Sequence, residues 1–263
     1  MSPGSAENGA AAGPRCFSET RGAFLVSGRL LFAHFTRYIP GILINWLMVE
    51  GAAGFLSPDT GPVAAAGLFC FTSACYPAAA ANASGRWENG PLALALERVS
   101  GHGPTLVLYC LVVVTLFSAV LIAGALGGAW SRESGSALVF FCCCAPAALV
   151  SARVWPVYVT FFLYGGYSSW SASARGPIWS GPSFITAWRM TGKKGTLAQF
   201  TLPLAAAAAL LAGAPLYAAH RFSGSAPAVW SCHAFFYGLG LPYLSTLAYT
   251  CGEKLRIPVR EDA

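Results

Sequence analysis

Acid–base, nucleophilic and metal chemistry in this chain would have to come from four histidines, nine cysteines, ten Asp and Glu, and sixteen Lys and Arg among 263 residues. His34, His102, His220 and His233 share no metal-ligand spacing. No C-x-x-C pair exists to hold zinc or exchange disulfides, and Cys142, Cys143 and Cys144, in an apolar run, are expected to be small buried thiols. No nucleophile is paired with a base, so the chain reads as a non-enzyme with no catalytic, metal or cofactor-binding residue and no cofactor. A net charge of +6 with no Lys and Arg run interleaved with aromatics gives no nucleic-acid face. Two groups stand out, because Arg37 and Arg153 are the cations placed inside apolar stretches. Such residues are functional by default in lipid, and here they are the candidate contacts for an anion in a cavity. An arginine that snorkels to the interface or caps carbonyls has the same sequence signature.

The elements that would carry them are membrane helices. The chain is 56% hydrophobic and 10% charged, against about 25% charged in an average soluble domain, which excludes an ordinary water-soluble globule. Each backbone amide must be satisfied within lipid, so spans are helices of about 20 apolar residues. Six windows qualify: Leu30 to Val49, Gly61 to Gly85, Gly103 to Ser131, Ser134 to Ala174, Gly195 to Ala219 and Phe222 to Gly252. Residues 1–16 form a flexible N-terminal segment without the apolar core of a secretory signal, 17–252 a single six-helix transmembrane domain, and 253–263 a tail. Targeting information is therefore expected inside the chain. The links 51–60, 131–136 and 220–227 are short and nearly balanced in charge. The N-terminal segment, residues 86–102 and 175–194, and the tail carry Arg15, Arg21, Arg86, Arg98, Arg175, Arg189, Lys193, Lys194, Lys254, Arg256 and Arg260. The positive-inside rule puts both termini and the two long loops on the side of synthesis, or in the mitochondrial matrix, provided the helix count is even.

The junctions repeat. Ser18 to Gly22, Glu97 to Gly103 and Trp188 to Gly195 each lead through a glycine into an apolar helix, and the helices between them carry Pro77, Pro156 and Pro242 near one end. Two interleaved threefold series describe a three-repeat bundle. With the run AHFTRYIPGILINWLMVE at residues 33 to 50, and Arg37, Tyr38, Pro40, Asn45 and Trp46 within it, the sequence resembles the mitochondrial carrier family, nearest in flavour to the ADP/ATP carrier. The resemblance covers residues 17 to about 250. It implies an all-α, pseudo-threefold bundle of six transmembrane helices in the mitochondrial inner membrane.

The departures from that family direct the functional expectation. Its odd helices place an acid and a base after the proline, and these close the cavity on the matrix side; here the positions hold Ala79 and Asn82, Tyr158 and Phe161, and Leu244 and Leu247. On the opposite gate one pair, Glu50 with Arg221, is left as a candidate. Exchanging a buried ion-pair ring for apolar residues spares the bundle, while alternating access loses the contacts that hold its two closed states. Gly103 with Tyr109, and Gly195 with Phe200, resemble part of the family's cardiolipin pattern, so bound cardiolipin or another phospholipid is expected there, held by helix N-terminal amides. The chain opens on a second-type helix and ends on an odd-type one, which reads as a circular permutation with the last helix between the Leu30 and Gly195 helices; a lost first helix with an unrelated added one reads the same way. The expected function is a non-transporting, carrier-like accessory subunit of an inner-membrane respiratory-chain complex, partnered by other subunits and phospholipids. The alternative is an active, divergent solute carrier for a nucleotide or anion.

Overall fold

The computed structural model describes residues 13–55, 75–85, 90, 93, 103–164, 188–189, 191–192 and 197–261; the side chains of 13–21, 48–55 and 255–261, and some others within helices, lie outside that description. Among the described residues the fold is entirely helical. In chain order come α1 (Gly13–Ala33), a 3-10 turn (Phe35–Arg37), α2 (Ile39–Phe55), α3 (residues 75–83), α4 (Gly103–Ser134) and α5 (Ala137–Tyr164). Two composite helices follow. In α6, residues 197–221, α-helical Leu202–Ala208 and Ala214–Arg221 alternate with π turns at Leu197–Thr201 and Ala209–Gly213. In α7, residues 226–261, a π turn at Phe236–Gly240 separates Ala226–Phe235 from Leu241–Glu261.

Two helical stretches, Ala137–Val159 with mean hydropathy 2.0 and Gln199–Ala219 with 1.7, are long and apolar enough to cross a membrane. The six windows fare differently. Gly103 to Ser131 lies within one helix, and Ser134 to Ala174 is helical to Tyr164, with 165–174 outside the described residues. Of Gly61 to Gly85 only 75–85 is described. The window Leu30 to Val49 is not one helix: it breaks at His34–Tyr38, and α2 starts afresh at Ile39. The histidine and the arginine of that window, His34 and Arg37, sit in the break, and Pro40 at the second position of α2 has no amide to continue the ladder of α1. Helix α1 starts at Gly13, inside the segment expected to be flexible.

A proline follows each π turn at the same distance. Thr201, Gly213 and Gly240 end the three turns, and Pro203, Pro215 and Pro242 stand two residues beyond those ends. A proline inside a helix has no N–H for the carbonyl four residues back and its ring collides with that carbonyl. Widening the preceding turn by one residue moves the carbonyl aside while keeping the chain helical.

Side-chain contacts set the helix directions. A Cβ on Gly22 would stand 3.8 Å from Lys254 Nζ, Ser27 bonds Thr250, Tyr38 meets Thr246, and the Trp46 ring lies 6.2 Å from that of Trp230. The rod formed by α1 and α2 therefore runs antiparallel along all of α7. Ser84 reaches the Tyr249 hydroxyl at 2.9 Å, and Tyr76 lies against Asn45 and Gly41, so α3 runs parallel to α7. Arg132 contacts Ser223, and Phe140 lies 5.1 Å from Tyr217. These contacts gather the α4–α5 turn at Gly135, the α6–α7 turn at 222–225 and the C-terminal end of α2 at one end of the bundle. The described chain ends, Ser84 and the 188–192 turn occupy the other.

The last helix is more enclosed than its expected place between two neighbours requires. From Leu244 to Gly252 every residue is buried, and besides α1, α2 and α6 this helix packs on α5 and α3. Leu244, Leu247, Ala248, Tyr249 and Cys251 join Ala79, Val154, Val157, Tyr158 and Leu204 in one apolar cluster. The reason is compositional: α3 offers Ala78 to Ala81, all buried, and α6 offers alanines, so neighbours close in around the 244–252 stretch of α7, while Ala226–Phe235 stays open.

Candidate functional site

Arg153 is 9% exposed although it projects from the middle of an apolar helix. Its guanidinium stands 3.4 Å from the centroid of the Trp188 ring and donates to the Trp188 carbonyl, and its Nε lies 3.4 Å from Thr191 Oγ1. Thr191 in turn donates toward the same carbonyl at 3.4 Å, and Gly192 closes the turn through its amide to Arg189 O at 3.2 Å. A Cβ on Gly192 would push the arginine out of this position, since it would meet the guanidinium at 2.5 Å and the Trp188 carbonyl at 3.0 Å. The arginine thus clamps α5 to the turn that precedes α6. Cation–π contact is worth about 2 kcal/mol or more when desolvated, and a hydrogen bond to a charged donor about 1.5–3 kcal/mol, so two such contacts offset part of the cost of burying a cation.

A seam of hydroxyls joins α7 to its neighbours. Ser27 Oγ donates to Thr250 Oγ1 at 3.0 Å, Thr250 Oγ1 donates to the Thr246 carbonyl at 2.9 Å, and Thr246 Oγ1 donates to Pro242 O at 2.8 Å. The Tyr38 hydroxyl lies 3.0 Å from Thr246 Oγ1, its ring stacks 6.5 Å from that of Tyr76, and Asn45 Nδ2 donates to the Tyr76 hydroxyl at 2.6 Å. All six residues except Tyr38 and Tyr76 are small or medium polar groups, and none ionises near neutrality. This seam fixes register and carries no proton-transfer group. Sequence reasoning passed over it. Thr246 and Thr250 stand at i and i+4 on one helix face, and that spacing was the available signal.

The candidate residues fall into separate places. Arg37 ends the 3-10 turn, half-buried, on the α1–α2 rod, while Arg153 is engaged on α5 with the 188–192 turn. Arg221 is exposed beside the 222–225 turn. Glu50 lies on α2 with its side chain outside the described residues; the antiparallel pairing of Trp46 with Trp230 puts its backbone at the same end as Arg221. Gly103 is the first residue of α4, and the Tyr109 side chain and all of Gly195 are outside the described residues. Phe200 is buried in the core beneath its π turn. Cys142, expected to be buried, is exposed on α5, and Cys143 and Cys144 are half-buried, because that part of the helix faces outward. Among the described residues no three His, Cys, Asp or Glu gather as a metal site. No protein-family model, no characterised protein and no solved structure matches this chain.

Proposed function

We propose that this chain is a non-transporting structural subunit of a membrane complex, built as a six-span, carrier-like bundle whose cavity has been filled. One observation carries the reading: Leu244 to Gly252 is buried on every side in the middle of the described helices. The matrix-gate positions of the carrier resemblance support it. Ala79, Tyr158, Leu244 and Leu247 belong to one apolar cluster, and no ion pair is there to open. Alternating access needs two closed states whose contacts exclude each other. A packed apolar core has one arrangement of lowest energy, and displacing a buried helix from it costs several residues' worth of burial at roughly 1.5–3 kcal/mol each. Arg153, occupied by Trp188 and Thr191, is no longer a cation facing solvent.

Membrane residence is supported by the two long apolar helices, of which only 22% and 17% is buried within the chain. A core helix of a water-soluble protein would be covered by its own chain; these face outward and need lipid or neighbouring helices. The carrier resemblance is what points to the mitochondrial inner membrane and to a respiratory-chain complex, with the pseudo-threefold ring as ancestral architecture and both termini in the matrix. The test has two arms. In liposomes the purified protein should exchange no nucleotide, phosphate or carboxylate above empty vesicles, and in mild-detergent native electrophoresis it should comigrate with an electron-transfer complex. Saturable exchange abolished by Arg37→Ala, with migration as a free monomer, would establish the divergent carrier instead.

A further inference from the structure

The parts of α6 and α7 nearest their connecting turn form a hairpin, residues 214–235, that is packed unlike the rest of these helices. Its legs are Ala214–Arg221 and Ala226–Phe235, joined by the 222–225 turn. No residue of Ala226–Phe235 is buried, and among the described side chains of the other leg only Pro215 is. Further along α7, every residue from Leu244 to Gly252 is buried. Tyr217 against Phe140 and Phe141, Trp230 against Trp46, and the 3.3 Å bond from Arg132 to Ser223 tie the hairpin to the bundle.

Both legs meet the rest of their helices at one level. The π turns Ala209–Gly213 and Phe236–Gly240 touch there, since Gly240 brings its backbone against the Leu211 carbonyl, where a Cβ would stand 2.5 Å from the oxygen. Each turn weakens the hydrogen-bond ladder that stiffens a helix. Ala214 N–H reaches back five residues to Ala209 O and Leu241 N–H to Phe236 O, and the next residues, Pro215 and Pro242, have no N–H to give. At the start of each turn one amide is shared between two carbonyls, that of Ala209 between Ala205 and Ala206 and that of Phe236 between Cys232 and His233. Gly213 and Gly238 carry no side chain, and nothing lies within 4 Å of a Cβ position on Gly238, so the backbone has room to move. Proline alone does not produce such a place: α5 carries Pro146 and Pro156 and stays an uninterrupted α-helix.

We propose that the 214–235 hairpin is a hinged unit that tilts about the paired π turns, with the Gly240–Leu211 contact as its fulcrum, while the 244–252 stretch stays fixed. Two weakened turns side by side permit a common tilt; a single one would be held by the continuous helix beside it. Legs of 8 and 10 residues, about 12–15 Å at 1.5 Å per residue, carry the tip through about 5 Å for a tilt of about 20°. A tilt away from α5 separates Tyr217 from Phe140 and Phe141 and breaks the Arg132–Ser223 bond, so these contacts set the resting position. The hinge goes beyond the structural role proposed above and does not rest on it, because all its parts belong to the chain itself.

Nitroxides attached to a ketone-bearing amino acid leave the nine cysteines untouched, and double electron–electron resonance on the full-length protein in detergent reads the distances between them. Gly224 marks the tip, since a Cβ there meets nothing within 4 Å, and exposed Leu138 and Leu25 mark the fixed body at its two ends. The Gly224–Leu25 distribution should be wider than that of Leu138–Leu25 by about 5 Å, the sweep of the tip. Tyr217→Ala, which removes an anchor, should widen it further. P215A and P242A, singly and together, should narrow it, because each returns an N–H to the ladder. None of these changes should alter the Leu138–Leu25 distribution. A label in a turn has motion of its own, so the variants decide. A Gly224–Leu25 width unmoved by Tyr217→Ala, or unmoved by the proline replacements, overturns the hinge. Equal widening of Leu138–Leu25 overturns it too, because the whole bundle would then be loosening.

Discussion

Gly238 and Gly240 lie two residues apart in the π turn of α7, and their surroundings predict opposite outcomes for one substitution. A Cβ on Gly240 would stand 2.5 Å from the carbonyl oxygen of Leu211 and 3.4 Å from its carbonyl carbon. That carbonyl belongs to backbone held between α5 and α7, so it cannot swing away as a side-chain tip would. Relief requires α6 and α7 to separate by most of an ångström at their closest point. Overpacking of this kind costs about 1–3 kcal/mol. A Cβ on Gly238 meets nothing within 4 Å, and alanine there restricts the unfolded chain, stabilising the helix by about 0.5–1 kcal/mol. Scanning fluorimetry of the purified protein in one detergent reads the difference. Gly240→Ala should lower the apparent Tm by about 2–12 °C and Gly238→Ala should leave it level or raise it, at about 2–4 °C per kcal/mol. A Gly240→Ala protein as stable as Gly238→Ala would refute the close approach of the two π turns, and with it the enclosed position of α7.

Ser245 and Thr246 are both fully buried, yet Ser245 Oγ has no partner among the described residues while Thr246 Oγ1 meets Pro242 O and the Tyr38 hydroxyl. Ser245→Ala should be neutral or stabilising by up to about 1 kcal/mol, and Thr246→Val destabilising by about 1 kcal/mol, because it orphans the Tyr38 hydroxyl; equal Tm values for the two variants would remove the seam as a source of stability. Arg153→Met and Arg153→Lys should both speed tryptic cleavage after exposed Arg189 several-fold, since an ammonium cannot stack on Trp188 and bond its carbonyl together. Full protection by lysine would reduce the clamp to simple charge.

The sequence by itself determined that this chain is helical and apolar, where its prolines fall, and which of its links are basic. These are properties of composition and periodicity, each contained within one segment. It also located Arg37 and Arg153 as the cations in apolar stretches, though their surroundings could not be read: whether an arginine faces a cavity or stacks on Trp188 depends on a residue 35 positions away. The break within Leu30 to Val49 was written locally in His34, Arg37 and Pro40, but a hydropathy window averages over such residues. Three matters were left to the tertiary structure. The prolines of α6 and α7 follow π turns while Pro146 and Pro156 sit inside α5 without one, so the local sequence does not select between the two. The hydroxyl seam exists only through pairs such as Ser27 with Thr250, 223 residues apart. And the 244–252 stretch of α7 is enclosed because the alanines of α3 and α6 let its neighbours approach it, a result of summed packing that no single helix encodes.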